Sequence, residues 1–247
     1  MLFRSKRNIY ALRLGCGQRE FFYNGAHHGM EWITAKLLMR FVFDYAQSYA
    51  RGERLAGFNV RRLFENTSIY LVPMVNPDGV EKSKKKTGWQ ANARGVDLNH
   101  NYDAGFYEYK KLAKNMGISR PCKTRYCGKY PESEPETAAV ASFTRSHNFE
   151  YVLALHSQGR VIYWRYGDLM PPKAYSIGQL LAASSGYMLD ETEGLASYSG
   201  YKDWFMAEFN SPGYTIEVGE GENPLPLTQF DGIYNEILEM LLCPELT

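Results

Sequence analysis

Six short apolar runs punctuate the chain, at 8–14, 20–24, 68–75, 151–155, 161–165 and 214–218, with helical spacing in much of the sequence between them. Runs this short read as buried strands. Helices are expected at 31–50, where Ile33, Leu37, Leu38, Phe41, Val42 and Tyr45 share a stripe, and at 133–147, behind a Ser133-x-x-Glu136 capping signature. Two more are expected at 171–185 and 226–242. Strands alternating with helices predict an α/β fold, a mixed and mostly parallel twisted sheet with helices on both faces. No composition shift divides the 247 residues, so one domain over 1–247 is expected.

In such a sheet, ligands sit outside the carboxyl ends of the strands, so the residues that follow each apolar run are where chemistry is expected. Three ends are loaded: Asn24-Gly-Ala-His-His, His156-Ser-Gln-Gly and Asn76-Pro-Asp-Gly. His28-Gly-Met-Glu31 puts an imidazole and a carboxylate three residues apart where a strand hands over to a helix, so both can share one face. His27 is an i,i+4 alternative to His28, and spacing alone does not choose between them. His156 ends an otherwise apolar strand, where a histidine is either a hydrogen-bonded core residue or a ligand. Two histidines and one carboxylate leave a fourth tetrahedral position open, the arrangement of catalytic zinc. Glu217 lies between Ile216 and Val218, which point to the opposite face of their strand. Its late position before Gly219 favours an active-site carboxylate, and apolar neighbours would raise its pKa toward neutrality.

Composition excludes more than it proposes. A net charge of +1, a pI of about 7.6 and one basic run, Lys82 to Lys86 in a polar loop, give no footprint for nucleic acid or an anionic membrane. No apolar run approaches the ~18 residues needed to cross a bilayer. The N-terminus has positive charge without a following apolar stretch, so export is not expected to be encoded in these residues unless the chain is part of a longer precursor. The 19 tyrosines suit a core as well as a cleft. Four cysteines are too few for a disulfide scaffold; Cys122 and Cys127 are expected to form a loop disulfide or stay as thiols, since C-x4-C without a second pair is a poor zinc site.

Read together, these segments resemble the carboxypeptidase A-like zinc metallopeptidases. Asn24-Gly-Ala-His-His-Gly-Met-Glu-Trp-Ile33 resembles their H-x-x-E-W zinc motif. Pro73-Met-Val-Asn-Pro-Asp-Gly79, Arg94-Gly-Val-Asp-Leu-Asn-His-Asn-Tyr102 and Ser133-Glu-Pro-Glu-Thr137 resemble their internal signatures. Leu155-His-Ser157 and Thr215-Ile-Glu-Val-Gly219 resemble the third-ligand and general-base segments, in the same order over about 8–242. The His-Ser-Gln-Gly turn with Tyr201-Lys-Asp-Trp-Phe205 is most similar to the bacterial γ-D-glutamyl-diamino-acid peptidases, which cut peptidoglycan stem peptides. The resemblance implies one zinc ion on His28, Glu31 and His156, with Glu217 activating water. It also implies a peptide or peptidoglycan stem-peptide substrate, while the compartment stays open between the bacterial cytoplasm and, as part of a longer precursor, a secreted or cell-wall-associated place.

The departures carry expectations of their own. The family's Asn-Arg anchor for a terminal carboxylate is Asn99-His100 here, and the cation that polarises the scissile carbonyl falls near Gln90, leaving Arg94 as its substitute. The family's mobile tyrosine falls near Gly194 or Leu195, so Tyr198 or Tyr201 would have to serve. Lys202 falls in the segment that lines the side-chain pocket, where it is either a cation for a substrate acid or a snorkelling surface lysine. The chain also looks short at its N-terminus, lacking a helix and strand usual before the first strand. Cleavage of γ-D-glutamyl-diaminopimelate bonds is the expected function, with a conventional carboxypeptidase or a catalytically impaired binding homologue as alternatives.

Overall fold

The computed structural model describes residues 7–247. Strands β1 (Leu12–Gly15) and β2 (Arg19–Gly25) lead into helix α1 (Ile33–Arg51), and a small hairpin of β3 (Arg54–Leu55) and β4 (Phe58–Asn59) precedes α2 (Val60–Asn66). Then come β5 (Thr67–Val72), α3 (Pro77–Ser83), α4 (Phe106–Asn115) and α5 (Pro135–Arg145). Strands β6 (Phe149–His156) and β7 (Val161–Tyr163) are followed by α6 (Ala174–Ser185) and β8 (Met188–Asp190). Helix α7 (Tyr201–Phe209), β9 (Gly213–Glu217) and α8 (Phe230–Leu241) complete the chain. No helix among the described residues is long and apolar enough to cross a membrane.

Seven strands form one sheet in the order β1-β5-β2-β6-β9-β7-β8. The central four run parallel, while β1 against β5 and β7 against β9 are antiparallel, so the sheet is mixed as the alternation predicts. Both faces of the parallel centre are apolar because each faces a helical layer. Phe21, Tyr23, Leu153, Leu155 and Ile216 pack with Leu37, Phe41 and Ile237 of α1 and α8. Phe22, Val152 and Ala154 pack with Val140 of α5 and Tyr201, Trp204 and Phe205 of α7. Each such large side chain contributes about 1.5–3 kcal/mol by burial.

Element ends follow local chemistry. Gly52, left-handed at φ 70°, closes α1 and donates its N–H to Ser48 and Tyr49 carbonyls. The run expected at 68–75 pairs only to Val72, because Pro73 cannot continue the ladder. The capping signature at Ser133 is not used: α5 starts at Pro135, whose fixed φ suits the first helical position, and no side chain caps it. The basic run is not simply a solvated loop either. Lys82 lies in the last turn of α3 with its ammonium 3.4 Å from the centroid of Trp89, and Lys84 pairs with Glu81 at 2.6 Å.

Candidate metal centre

Three strand ends meet where the parallel strands stop. His156 and Glu217 are partners in the β6–β9 register, so they share a face at the last residue of each strand. The exit from β2 is pinned beside them. Val75 and Asn76 donate their N–H groups to Gly25 O and Ala26 O, Ala26 N–H donates to Thr34 Oγ1, and Asn76 Nδ2 donates to His27 O. A single turn at Gly29–Glu31 follows, seated against α3 so closely that a Cβ on Gly29 would lie 2.4 Å from the Gly79 carbonyl. The absence of a side chain there lets His28 and Glu31 turn back together over the strand ends.

The result is a convergence of buried donors. Within hydrogen-bonding distance of one another are His28 Nδ1 and Glu31 Oε1 at 2.8 Å, His156 Nδ1 and Glu31 Oε2 at 3.0 Å, and the two Nδ1 atoms at 3.3 Å. Donors held by one tetrahedral ion at about 2.0–2.1 Å would sit ~3.3 Å apart, so the spacing suits zinc. Two ring nitrogens facing each other and one carboxylate, all buried, also form a poor arrangement without a shared proton or cation between them. Burial disfavours charge on His28, yet the carboxylates of Glu31 and Asp97 outweigh it and hold the ring's pKa well above its ordinary value. Glu31 and Asp97 are held low despite burial, by the His28 charge first. A divalent ion would take over the role of that proton.

Spacing left His27 open against His28, and the structure separates them. His27 turns into the core, with Nε2 2.9 Å from the Tyr102 hydroxyl, and burial pushes its pKa well down. His28 instead sets its outer nitrogen, Nε2, 3.1 Å from Asp97 Oδ1, the carboxylate support typical of a metal-bound imidazole. Asp97 was not singled out in the sequence, although an acid between Val96 and Leu98 is a signal of a buried, partnered carboxylate. Glu217 has its pKa raised well above the ordinary carboxylate value, by burial first and then by the charge of Glu31.

The cluster opens into a cleft of about 500 Å³ lined by His28, Gln90, Asn99, His100, Lys202 and Glu217. Lys123, Arg125, Tyr163, Asp203 and Thr215 also line it, and none of these was named as a site residue from sequence. A larger hollow of about 650 Å³, around Leu12, Ala35, Met39 and Met74, has no His, Cys, Asp or Glu among its lining residues. The metal cluster's cleft is therefore the functional candidate.

The zinc carboxypeptidase family profile matches residues 4–240. The chain belongs to the zinc carboxypeptidase family. Among its relatives, the γ-D-glutamyl-L-diamino acid endopeptidase 1 of Lysinibacillus sphaericus is 37% identical over 95% of this chain and 63% of its own length. Human carboxypeptidase B is 30% identical over 79% of the chain and 46% of its own length. The chain thus spans less than two thirds of these relatives. The fold is shared with thrombin-activatable fibrinolysis inhibitor (TM-score 0.79, 22% identity, 96% of this chain and 65% of that one). It is also shared with a murein-tripeptide amidase of Escherichia coli O157 (TM-score 0.61, 22% identity, 92% of this chain and 82% of that one).

Against the zinc carboxypeptidase pattern, several expected substrate residues are placed differently. Arg94 does not line the cleft; its Nε lies 3.1 Å from buried Glu134, which removes it from the scissile carbonyl. Tyr201, the first residue of α7, is fully buried against α5, its hydroxyl 3.0 Å from Thr144 Oγ1, so its ring cannot touch substrate. Its backbone N–H, however, donates to Asn99 Oδ1 at 3.1 Å, which leaves the Asn99 amide NH₂ as the donor for the cleft. His100 lines the cleft, but Nδ1 lies 3.0 Å from the Tyr198 carbonyl, which can only accept. Burial lowers the His100 pKa, so the neutral ring donates there and presents Nε2 as an acceptor, which is no anchor for a carboxylate. Tyr198 packs with Phe106 and Leu195. Lys202 is buried rather than snorkelling, and its ammonium pairs with Asp203 and donates to Arg165 O at 2.5 Å. Cys122 and Cys127 are free thiols, not a loop disulfide.

Proposed function

We propose that this chain is a zinc-dependent peptidase that hydrolyses the γ-D-glutamyl-diaminopimelate bond of peptidoglycan stem peptides. One observation carries the chemistry: His28, Glu31 and His156 present converging donors beside Glu217, the adjacent strand's last residue. When bound there, zinc supplies Lewis acidity, which activates water near neutral pH and polarises a carbonyl. Asp97 fixes the His28 ring through Nε2, leaving Nδ1 for the metal. Glu217, its basicity raised by burial and by Glu31, accepts the attacking water's proton and returns it to the nitrogen of the departing amine.

Two features favour a diamino acid on the amine side. Lys202 and Asp203 both line the cleft as a buried, mutually neutralised pair, a polar wall for a side chain ending in both an ammonium and a carboxylate. At the Asn99-His100 position, where a conventional carboxypeptidase has a cation for the terminal carboxylate, His100 spends its donor on Tyr198 O. The 37% identity to a γ-D-glutamyl-L-diamino acid endopeptidase agrees with this reading. The 30% identity to carboxypeptidase B sustains the alternative, removal of ordinary C-terminal residues.

The test compares hydrolysis of an L-alanyl-γ-D-glutamyl-diaminopimelate peptide with that of peptides ending in hydrophobic or basic residues, with and without a chelator. Chelator-sensitive cleavage of the first is expected; preference for the ordinary peptides would defeat the cell-wall assignment. Glu217→Gln should keep its metal and lose at least ~10²-fold in kcat. A variant that retained turnover would remove Glu217 from the proton-transfer role.

A further inference from the structure

We infer that Arg125 binds a carboxylate carried by the acyl side of the substrate, and so sets specificity for an acid next to the scissile carbonyl. The inference rests on the peptidase reading above and adds a second point of recognition to it. Three Lys or Arg side chains line the cleft: Lys123, Arg125 and Lys202. Lys202 is matched by Asp203 and by Arg165 O, and His100 offers an acceptor, so neither supplies an uncommitted positive charge. The exposed Arg125 guanidinium and the exposed Lys123 ammonium meet no acid and no hydrogen-bond acceptor among the described residues, and of the two only the Arg125 backbone is tied to the metal cluster, through Asp97. A guanidinium is also the group whose planar fork matches a carboxylate with two parallel hydrogen bonds.

Its position is built, not incidental. Arg125 N–H donates to Asp97 Oδ2 at 2.9 Å, while Asp97 Oδ1 lies 3.1 Å from His28 Nε2, so one carboxylate separates the Arg125 backbone from a metal ligand. Arg125 has φ 64°, the left-handed region that a residue with a Cβ enters at a cost, and such positions cluster at functional sites. The surrounding segment is held on both sides. Gln90 and Ala91 donate N–H groups to Lys123 O at 3.0 and 2.9 Å, Asp97 N–H donates to Tyr126 O at 2.7 Å, and the Tyr109 hydroxyl donates to Arg125 O at 2.8 Å. A side chain rising from a fixed backbone loses less freedom on binding than one on a free loop.

Sheet order assigns the side of the substrate. The exits run from β2 with His28, through β6 with His156, to β9 with Glu217. Glu217 protonates the departing amine, so the amine portion lies on the β9 flank, with Thr215, Tyr163 and the Lys202 and Asp203 pair. The acyl portion then extends across the metal cluster toward His28 and Arg125. In a γ-glutamyl substrate that portion carries a free α-carboxylate, the group Arg125 is placed to receive.

The experiment compares two peptides, L-alanyl-γ-D-glutamyl-diaminopimelate and its α-amide, which differ only in that carboxylate. Wild type should favour the acid by about tenfold in kcat/KM, mostly through KM, the scale of one exposed charge-assisted contact. Arg125→Gln should abolish the preference by weakening the acid alone, and Arg125→Lys should restore part of it, with melting temperature and zinc content unchanged in both. No preference in wild type, or equal loss on acid and amide in Arg125→Gln, would overturn the inference. If neither γ-glutamyl peptide is cleaved but an ordinary peptide is, the substrate assignment fails on its own. The comparison then passes to that peptide, with Asp against Asn at the residue giving the scissile carbonyl and the same two readings.

Discussion

At the scale of single residues, the site depends on charges whose partners are fixed. Asp97 is buried and divided between two duties: one oxygen supports His28 and the other takes the Arg125 N–H. Asp97→Asn keeps the shape and removes the negative charge that makes His28 a better ligand. Zinc affinity, read by competition with a chromophoric chelator, should fall about 10- to 100-fold. Unchanged affinity would mean that the support is only steric. Glu31, His156 and Glu217 were readable in the sequence as polar residues where apolar runs end, while the choice of His28 over His27 needed the likeness to the zinc motif and is made structurally by Tyr102 and Asp97. Arg94 and Tyr201 were misread because their partners are remote: Glu134 lies beyond α4, and Tyr201 meets Thr144 of α5.

At the scale of elements, two contacts hold the metal turn and its surroundings. The Gly29–Glu31 turn sits against α3 with no room for a Cβ, so Gly29→Ala must push the turn from Gly79. A loss of about 1–3 kcal/mol is expected from overpacking, with weakened zinc binding because His28 and Glu31 flank that position. Chemical denaturation and metal titration would check both, and a variant as stable and as metal-avid as wild type would show that α3 yields. The Ser133-Glu-Pro-Glu-Thr137 segment instead anchors the shell around the site. Glu134 takes Asn92 Nδ2 at 2.8 Å and pairs with Arg94, while burial, followed by the charge of Glu134, raises the Glu136 carboxyl to about 7. A raised folded pKa gives stability that is full below the unfolded value near 4.5 and is lost as pH rises through about 7. Glu136→Gln should therefore match wild type near pH 4.5 and exceed it by about 1–3 kcal/mol at pH 8. Parallel pH profiles for the two proteins would contradict this.

At the scale of the molecule, the sheet does the assembling. Its parallel centre could be read from the alternation of strand and helix, and its strand ends from the residues that follow each run. The register that sets His156 beside Glu217, and the crossing of Pro121 to Cys127 over Gln90 to Asp97, could not. Those placements depend on backbone hydrogen bonds between distant segments, which leave no periodic trace in the sequence. The short strands β3, β4 and β8 and helices α2, α3, α4 and α7 escaped for a related reason: each is brief and takes its order from its neighbours. The central claim is that His28, Glu31 and His156 together hold one zinc ion, and metal content after exhaustive dialysis tests it directly. Wild type and Glu217→Gln should each retain about one zinc per chain, while His28→Ala and His156→Ala, still folded by circular dichroism, should retain little. Stoichiometric zinc in either histidine variant would place the metal elsewhere and contradict the account.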